Sequence, residues 1–365
     1  MKLLTTFGIA YGWIMDLRNL LYDRGIFRSY SLGTRTISIG NLTIGGTGKT
    51  PLVAFVAEIL AENGERVCIL TRGYGRTNSN ERVPVSDCDR VLADAAIGGD
   101  EPAELAEKLL GKAVVIADAD RVGAAKWAKE KFEVTTFLLD DGFQHRRVRR
   151  DLDIVCVDAT QGVSGMLPAG RLREPPENLR RADVVVITRA DLVENIEHLR
   201  SQISNYAPSA SIFSSENAIS NITPLEEYHS RSDRTPSRDL DQAWTKLRGE
   251  GQPDDPDTEV RVLAFCALGN PENFFLLLVR TFDEDAMEKF DLSVVKAFPD
   301  HYGYTQHHVD DLQKQARECR IDAFVTTAKD AVKVRELKFD IPCYVVEIVP
   351  RIDDETGFRE IIISS

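Results

Sequence analysis

The stretch Ile39-Gly40-Asn41-Leu42-Thr43-Ile44-Gly45-Gly46-Thr47-Gly48-Lys49-Thr50-Pro51 constrains the fold of this chain more than any other segment. A β-like run over 36–39 leads into it, and an apolar helical pattern beginning at Leu52 leads out. Gly48 lets a backbone approach a phosphate, Lys49 reaches the β- and γ-phosphates, and the Thr50 hydroxyl suits Mg²⁺. The first N–H groups of the following helix add the positive end of its dipole. Thr43, Ile44, Gly45, Gly46, Thr47, Gly48, Lys49, Thr50 and Pro51 therefore form a candidate cradle for a nucleoside triphosphate with Mg²⁺. The strict phosphate-loop pattern wants glycine where this chain has Thr43. Gly45 and Gly46 supply comparable backbone freedom within the loop.

A phosphate loop belongs to a sheet with helices on both faces, and the rest of the chain fits that demand. Near-continuous apolar runs at 36–39, 67–70, 113–116, 135–139, 153–157 and 183–187 read as buried parallel strands, separated by helical patterns at 52–63, 102–110 and 121–131. The expected fold class is α/β: a P-loop NTPase-like doubly wound sheet with a second, smaller α/β lobe. We expect an N-terminal amphipathic helix over 1–30, a P-loop domain over 31–215, a polar linker or insertion over 216–259, and a smaller lobe over 260–365. That smaller lobe carries strand-like runs at 262–267, 294–298, 323–327 and 344–348 and helical patterns from Pro271 and near 306–317. A site in the cleft between two lobes is the natural arrangement.

The net charge of −13 disfavours nucleic acid as a partner. No obligate protein partner is evident. Six scattered cysteines without C-x-x-C spacing read as reduced thiols, mostly in the core, and suit a cytoplasmic protein. The segment 3–15 is nearly uncharged but short of the about 20 apolar residues that span a bilayer. Leu3, Leu4, Phe7, Tyr11, Ile14 and Leu21 recur at helical spacing and lead to a basic end, a pattern that serves an anionic membrane surface or the protein's own core equally well.

The second chemical signal is the run 137–146, an apolar strand ending in Asp140-Asp141-Gly142-Phe143-Gln144-His145-Arg146. An aspartate at such a strand end holds Mg²⁺ beside the loop threonine in P-loop folds. Adjacent acids there are costly without a cation. The residues alone do not separate Asp140 from Asp141. Gly99-Asp100-Glu101-Pro102 lies where a loop enters a helix. Asp100 there suits helix capping, and on residues alone capping is favoured over a general base. His301 follows a proline-bounded strand end, where a histidine orients an acid or serves structure; His307 and His308 read as exposed helix residues. Arg72, Arg76, the arginines at 146, 147, 149 and 150, and Arg171 and Arg173 fall in loops suited to phosphorylated ligands.

Taken together these motifs resemble the tetraacyldisaccharide 4′-kinases of lipid A synthesis. The resemblance rests on Gly40-Asn41-Leu42 through Lys49-Thr50, Arg72-Gly73-Tyr74-Gly75, Gly99 to Pro102, Asp140 to His145, Leu167-Pro168-Ala169-Gly170-Arg171-Leu172-Arg173-Glu174, Gly269-Asn270-Pro271, Asp300-His301-Tyr302 and Thr326-Thr327-Ala328-Lys329-Asp330. Thr43 is shared with that family, whereas Ala328 stands where relatives often carry an acid. The resemblance implies transfer of the ATP γ-phosphate to the 4′-hydroxyl of an acylated glucosamine disaccharide 1-phosphate. It also implies a kinase domain over 31–215 and a peripheral enzyme on the cytoplasmic face of the inner membrane, with the membrane-facing N-terminal helix meeting the lipid. By resemblance the catalytic candidates are Asp100 and His301 as an acid–histidine pair, with Lys49, Asp140 and Asp141. Thr50, Asp140, Asp141 and Glu101 are the metal candidates. Asn41, Arg72, Tyr74, Gln144, His145 and Arg171 are the substrate candidates. The competing readings from the residues are a P-loop kinase for another sugar or a nucleotide, and a GTPase-like switch or metallochaperone.

Overall fold

The computed structural model describes residues 2–45, 47–74, 76–230, 260–284, 290–300 and 302–364. A long helix, α1 (Lys2–Asp23), precedes the first strand, β1 (Arg35–Asn41). There follow α2 (Lys49–Glu62), β2 (Val67–Thr71), β3 (Val83–Asp87), α3 (Ala95–Gly98), α4 (Asp100–Lys108), β4 (Ala113–Ala117), α5 (Arg121–Phe132), β5 (Thr136–Asp140), β6 (Leu152–Asp158) and β7 (Val184–Thr188). The chain continues through α6 (Glu197–Tyr206), β8 (Ser211–Pro224), α7 (Leu225–Ser230), β9 (Val260–Cys266), α8 (Pro271–Glu284), β10 (Phe290–Ala297), α9 (Gln306–Cys319), β11 (Ala323–Thr327), α10 (Ala328–Val334), β12 (Cys343–Ile352) and α11 (Glu355–Ser364).

Among the described residues one twelve-stranded sheet runs in the order β10-β9-β11-β12-β8-β7-β6-β1-β5-β2-β4-β3. Pairing is parallel from β8 to β4 and from β10 to β12, and antiparallel at β3–β4 and at β8–β12. β8 is the seam. Its first residues (211–215) pair with β7, and residues 215–224 pair with β12. Strand ends of both halves open onto one cavity, the place where α/β sheets take ligands.

Two expectations need correction here. Residues 216–230, assigned to a polar insertion, form the second part of β8 and all of α7. Their Ser- and Asn-rich composition hides a strand whose inward positions, Ile219 and Ile222, join the second half's core. The remainder of that segment, 231–259, lies outside the described residues. The end of the chain also does not stay with the smaller lobe: Ile352, Phe358 and Ile362 pack into the core built on β1, α2 and β2. Phe358 stacks on Phe55 with centroids 6.2 Å apart and meets Phe213 edge-on at 5.4 Å.

Helix α1 is turned inside out relative to an ordinary surface helix. Gly8, Gly12 and Asn19 face inward. A Cβ at Gly8 would meet the Met166 carbonyl at 3.3 Å, so the helix lies close on the 166–175 loop. Phe7, Ile9, Trp13, Ile14 and Leu17 face outward, with Trp13 73% exposed. Among the described residues no helix is long and apolar enough to cross a membrane.

Candidate active site

The phosphate loop is braced before any ligand arrives. β1 ends at Asn41, which is fully buried and donates Nδ2 to Thr47 Oγ1 at 2.9 Å. Its Oδ1 accepts from Lys49 Nζ at 3.1 Å. Thr188, at the end of β7, donates its hydroxyl to the Thr47 carbonyl at 2.9 Å. Ile44 N–H donates to the Arg171 carbonyl at 2.9 Å, and Thr43 is buried in a bridge to Leu172. Gly48 precedes α2 at φ 75°, a left-handed conformation that glycine adopts without strain. No side chain caps α2, which leaves its first N–H groups available to a phosphate. Gly46 lies outside the described residues.

The double aspartate resolves into two different groups. Asp140 ends β5, is buried, and accepts a hydrogen bond from Thr71 Oγ1 at 2.9 Å. Burial raises its carboxyl above the ordinary range, the nearby Glu101 raises it further, and Lys49 opposes them. Asp141 turns into the left-handed region at φ 52°. There it receives Lys49 Nζ at 3.1 Å and Arg173 at 2.8 Å. Burial works against ionisation, but these two cations hold Asp141 below the usual carboxylate range. Asp141 is thus saturated with positive charge, while Asp140 and Glu101 stand together short of it.

These groups line a cavity of about 340 Å³ whose opposite wall comes from the second half of the chain. From the first half it takes Gly45, Thr47 to Pro51, Thr71, Arg72, Tyr74, Glu101, Asp140, Asp141 and Arg173. The far wall includes Leu268 to Asn270, Phe274, Leu277, Asp300 and Thr327 to Lys329. Arg72 and Tyr74 stand exposed, the guanidinium 5.3 Å from the ring centroid. Lys329 pairs with Asp300 at 2.8 Å. Thr327 caps α10, and buried Asp330 accepts from Ala267 N–H at 3.0 Å, so the 326–330 motif ties β11 to the end of β9.

Asp100 differs from its capping expectation. The residue before α4 is Gly99, with no side-chain cap bond. Asp100 instead pairs across the molecule with Lys333 of α10 at 2.8 Å. Glu101, not Asp100, lines the cavity, and Asp100 precedes it in the chain. His301 lies outside the described residues. His307 is exposed as expected, but His308 is not a free surface residue: its Nδ1 accepts from Thr305 N–H at 3.1 Å in a capping box.

The substrate candidates divide. Arg72 and Tyr74 face the cavity; Asn41, Gln144, His145 and Arg171 do not line it. Asn41 is a brace for the loop, since both ends of its amide bond to loop residues. Gln144 donates to the Asn41 carbonyl at 2.9 Å, and its own carbonyl accepts from Arg18 of α1. His145 is held neutral: burial, then Arg121, Arg150 and Arg147, push its pKa down to about 4. Arg171 is exposed, beside Gly45. Sequence reading named Arg173 among the arginines suited to phosphorylated ligands, and missed Glu104 and Lys329 as cavity residues. Burial pushes Glu104 up to about 7 against the pull of Lys329 and Lys108. Its position three residues after Glu101 on one helix was the available signal.

A family model described as LpxK, tetraacyldisaccharide-1-P 4′-kinase, matches residues 1–365. The tetraacyldisaccharide 4′-kinase of Desulfotalea psychrophila is 34% identical over 362 residues, covering 97% of this chain and 93% of that protein. That of Geobacter metallireducens is 37% identical over 336 residues, covering 92% and 88%. Among solved structures, "apo" form LpxK from Aquifex aeolicus in complex with ATP superposes with a TM-score of 0.75 at 29% identity, covering 100% of this chain and 98% of that one.

Proposed function

Since the chain belongs to the tetraacyldisaccharide-1-P 4′-kinase family, we propose the following division of labour for its site. The activity is that of a tetraacyldisaccharide 4′-kinase in lipid A biosynthesis: ATP-dependent phosphorylation of the 4′-hydroxyl of a tetraacylated glucosamine disaccharide 1-phosphate. The observation that carries the assignment of roles is the contrast between Asp141, already paired with Lys49 and Arg173, and Asp140, set beside Glu101 and in no salt bridge among the described residues.

The loop N–H groups from Gly45 to Gly48 and the Lys49 ammonium bind the β- and γ-phosphates. Asp141 and Asn41 hold Lys49 at that position. Asp140, Glu101 and the Thr50 hydroxyl form the hard-oxygen set for Mg²⁺, and their carboxylates are stabilised by the ion's charge. Among the described residues no three His, Cys, Asp or Glu side chains converge on a metal position, which suits an ion that draws its remaining ligands from phosphate oxygens and water. Bound there, Mg²⁺ neutralises charge on the transferred phosphoryl group. Asp100 accepts the proton of the attacking hydroxyl, with His301 as its partner. Arg72 and Tyr74 meet the disaccharide and its phosphate; Gln144, His145 and Arg171, which do not line the cavity, support the loop from behind or beside it. Positioning supplies most of the rate, as phosphoryl transfer asks little covalent chemistry of the protein.

Helix α1 sets its outward apolar face into the membrane surface at the cytoplasmic side of the inner membrane. Six large apolar side chains turned outward, with the polar contacts turned inward, support that reading. The test of the whole assignment offers purified protein ATP, Mg²⁺ and the acylated disaccharide 1-phosphate in detergent and follows the new 4′-phosphate monoester. Transfer to some other sugar in place of this one would overturn the substrate. Transfer unaffected by removal of Mg²⁺ with EDTA would overturn the metal.

A further inference from the structure

A second cavity, of about 600 Å³, opens where α1 ends and shares no lining residue with the nucleotide cavity. Five arginines line it against two aspartates, Asp23 and Asp153, in a chain whose net charge is −13. Three of the five are already paired: Arg146 with Asp23 at 2.6 Å, Arg150 with Asp153 at 2.7 Å, and Arg181 with Glu174 at 2.8 Å. Arg28 and Arg149 are exposed and make no ion pair among the described residues. Backbone bonds fasten their two segments together: Tyr30 N–H donates to the Arg147 carbonyl at 2.8 Å, and Arg149 N–H to the Tyr30 carbonyl at 2.9 Å. The Ser29 hydroxyl adds a third tie, to the Arg146 carbonyl at 2.7 Å. The two unpaired guanidiniums therefore belong to one built site.

The surroundings of the cavity select its occupant. The exposed apolar face of α1 runs through Leu17 and Leu20, and Phe27 and Tyr30, respectively 44% and 40% exposed, line the cavity beyond it. Apolar surface followed by unpaired arginines matches a molecule with a hydrocarbon part and an anionic head. We propose that this cavity binds the headgroup phosphate of an anionic bilayer phospholipid. The proposal rests on the reading of α1 as a membrane-surface helix and deepens it: apolar burial holds the helix in the surface, and the cavity selects the lipid charge.

The experiment measures co-sedimentation of the full chain with neutral phosphatidylcholine vesicles and with vesicles containing phosphatidylglycerol. A basic side chain near an anionic surface is worth about fivefold in partitioning, so Arg28→Gln/Arg149→Gln should lose about thirtyfold on the anionic vesicles. Binding to neutral vesicles and turnover in neutral detergent micelles should be unchanged. A second variant, Arg24→Gln/Arg180→Gln, removes the same charge from exposed residues outside the cavity lining. An equal loss there means diffuse attraction and overturns the site, as does no loss from the first variant. A fall of kcat/KM on neutral micelles assigns the arginines to the substrate's own phosphate and overturns the bilayer lipid. Wild-type binding to anionic but not neutral vesicles would sink the apolar-helix reading while supporting the cavity, and binding to neither would sink both.

Discussion

The phosphate loop and helix α1 treat polarity in opposite ways. Around the loop, polar groups are gathered inside: Asn41, Thr47, Lys49, Asp141, Arg173 and Thr188 pair with one another, and an anion would complete the set. On α1 the large apolar groups are outside, while Asn19 reaches buried Glu174 at 2.7 Å and Asp16 meets Asn178 at 2.9 Å. A folded chain exposes an ordinary share of scattered apolar surface, but a contiguous stripe marks a binding face. The loop is therefore preorganised for charge, and the helix presents the apolar face that the proposed membrane contact would use. The link between them is direct: Gln144 holds the Asn41 carbonyl with its amide, and its own carbonyl holds Arg18 of α1.

The largest effect should come from breaking the polar region. Lys49→Ala removes the cation that Asn41 and Asp141 hold in place, and kcat should fall on the order of 10³-fold, as for other charge-stabilising groups in phosphoryl transfer. Steady-state kinetics at saturating ATP reads this out. A loss confined to the KM for ATP would mean that the lysine serves ground-state binding alone. Next is the join between the regions. Glu174→Ala leaves the half-buried Arg181 beside the Phe143 ring, and Asn19, without their buried acceptor. It should cost about 3 kcal/mol in chemical denaturation, with increased proteolysis after α1. A loss below about 1 kcal/mol would mean that α1 docks through its glycine contacts instead.

Much of the polar region was legible in the sequence because its chemistry is local. Strand, glycine loop, lysine and helix follow one another within 36–62, and the six strands expected before residue 188 match β1, β2, β4, β5, β6 and β7 to within a residue or two. What stayed hidden depended on direction in space. Asp140 and Asp141 are neighbours, yet the left-handed turn at Asp141 sends one carboxylate to Lys49 and Arg173 and leaves the other beside Glu101. The periodicity of α1 gave its apolar face but not which face would pack, since glycines on the opposite side carry no hydrophobic signal. β8 was hidden by its Ser and Asn residues, some of them, like Ser215 and Asn221, buried. Helix α11 was expected with the smaller lobe, and only tertiary contact brings Phe358 to Phe55.

The apolar region gives a smaller, sharper test. Trp13→Asp should leave the thermal midpoint of the chain in vesicle-free buffer unchanged, because Trp13 is 73% exposed. Removing one large apolar side chain from a hydrocarbon contact is worth about 2 kcal/mol, so partitioning into neutral vesicles should fall about thirtyfold. A drop in the midpoint with unchanged vesicle binding would place Trp13 in a protein contact and end the contrast drawn above.

The smallest effect concerns His145, which lies between the two regions. In the folded chain its pKa is about 4, below the ordinary histidine value, because burial and a ring of arginines disfavour the imidazolium. The unfolded chain binds this proton near pH 6.5 and the folded chain does not. Stability on this account is full above that pH and is lost as pH falls toward the folded value. Because the side chain is part-exposed, the slope is discounted, and between pH 6.5 and 5 the loss should be about 1 kcal/mol. Urea midpoints across that window should decline less in His145→Gln than in the wild type, the difference opening below pH 6.5 and absent at pH 8. Parallel curves for the two proteins would mean that His145 accepts its proton in the folded state, and that the arginines around it are screened by solvent.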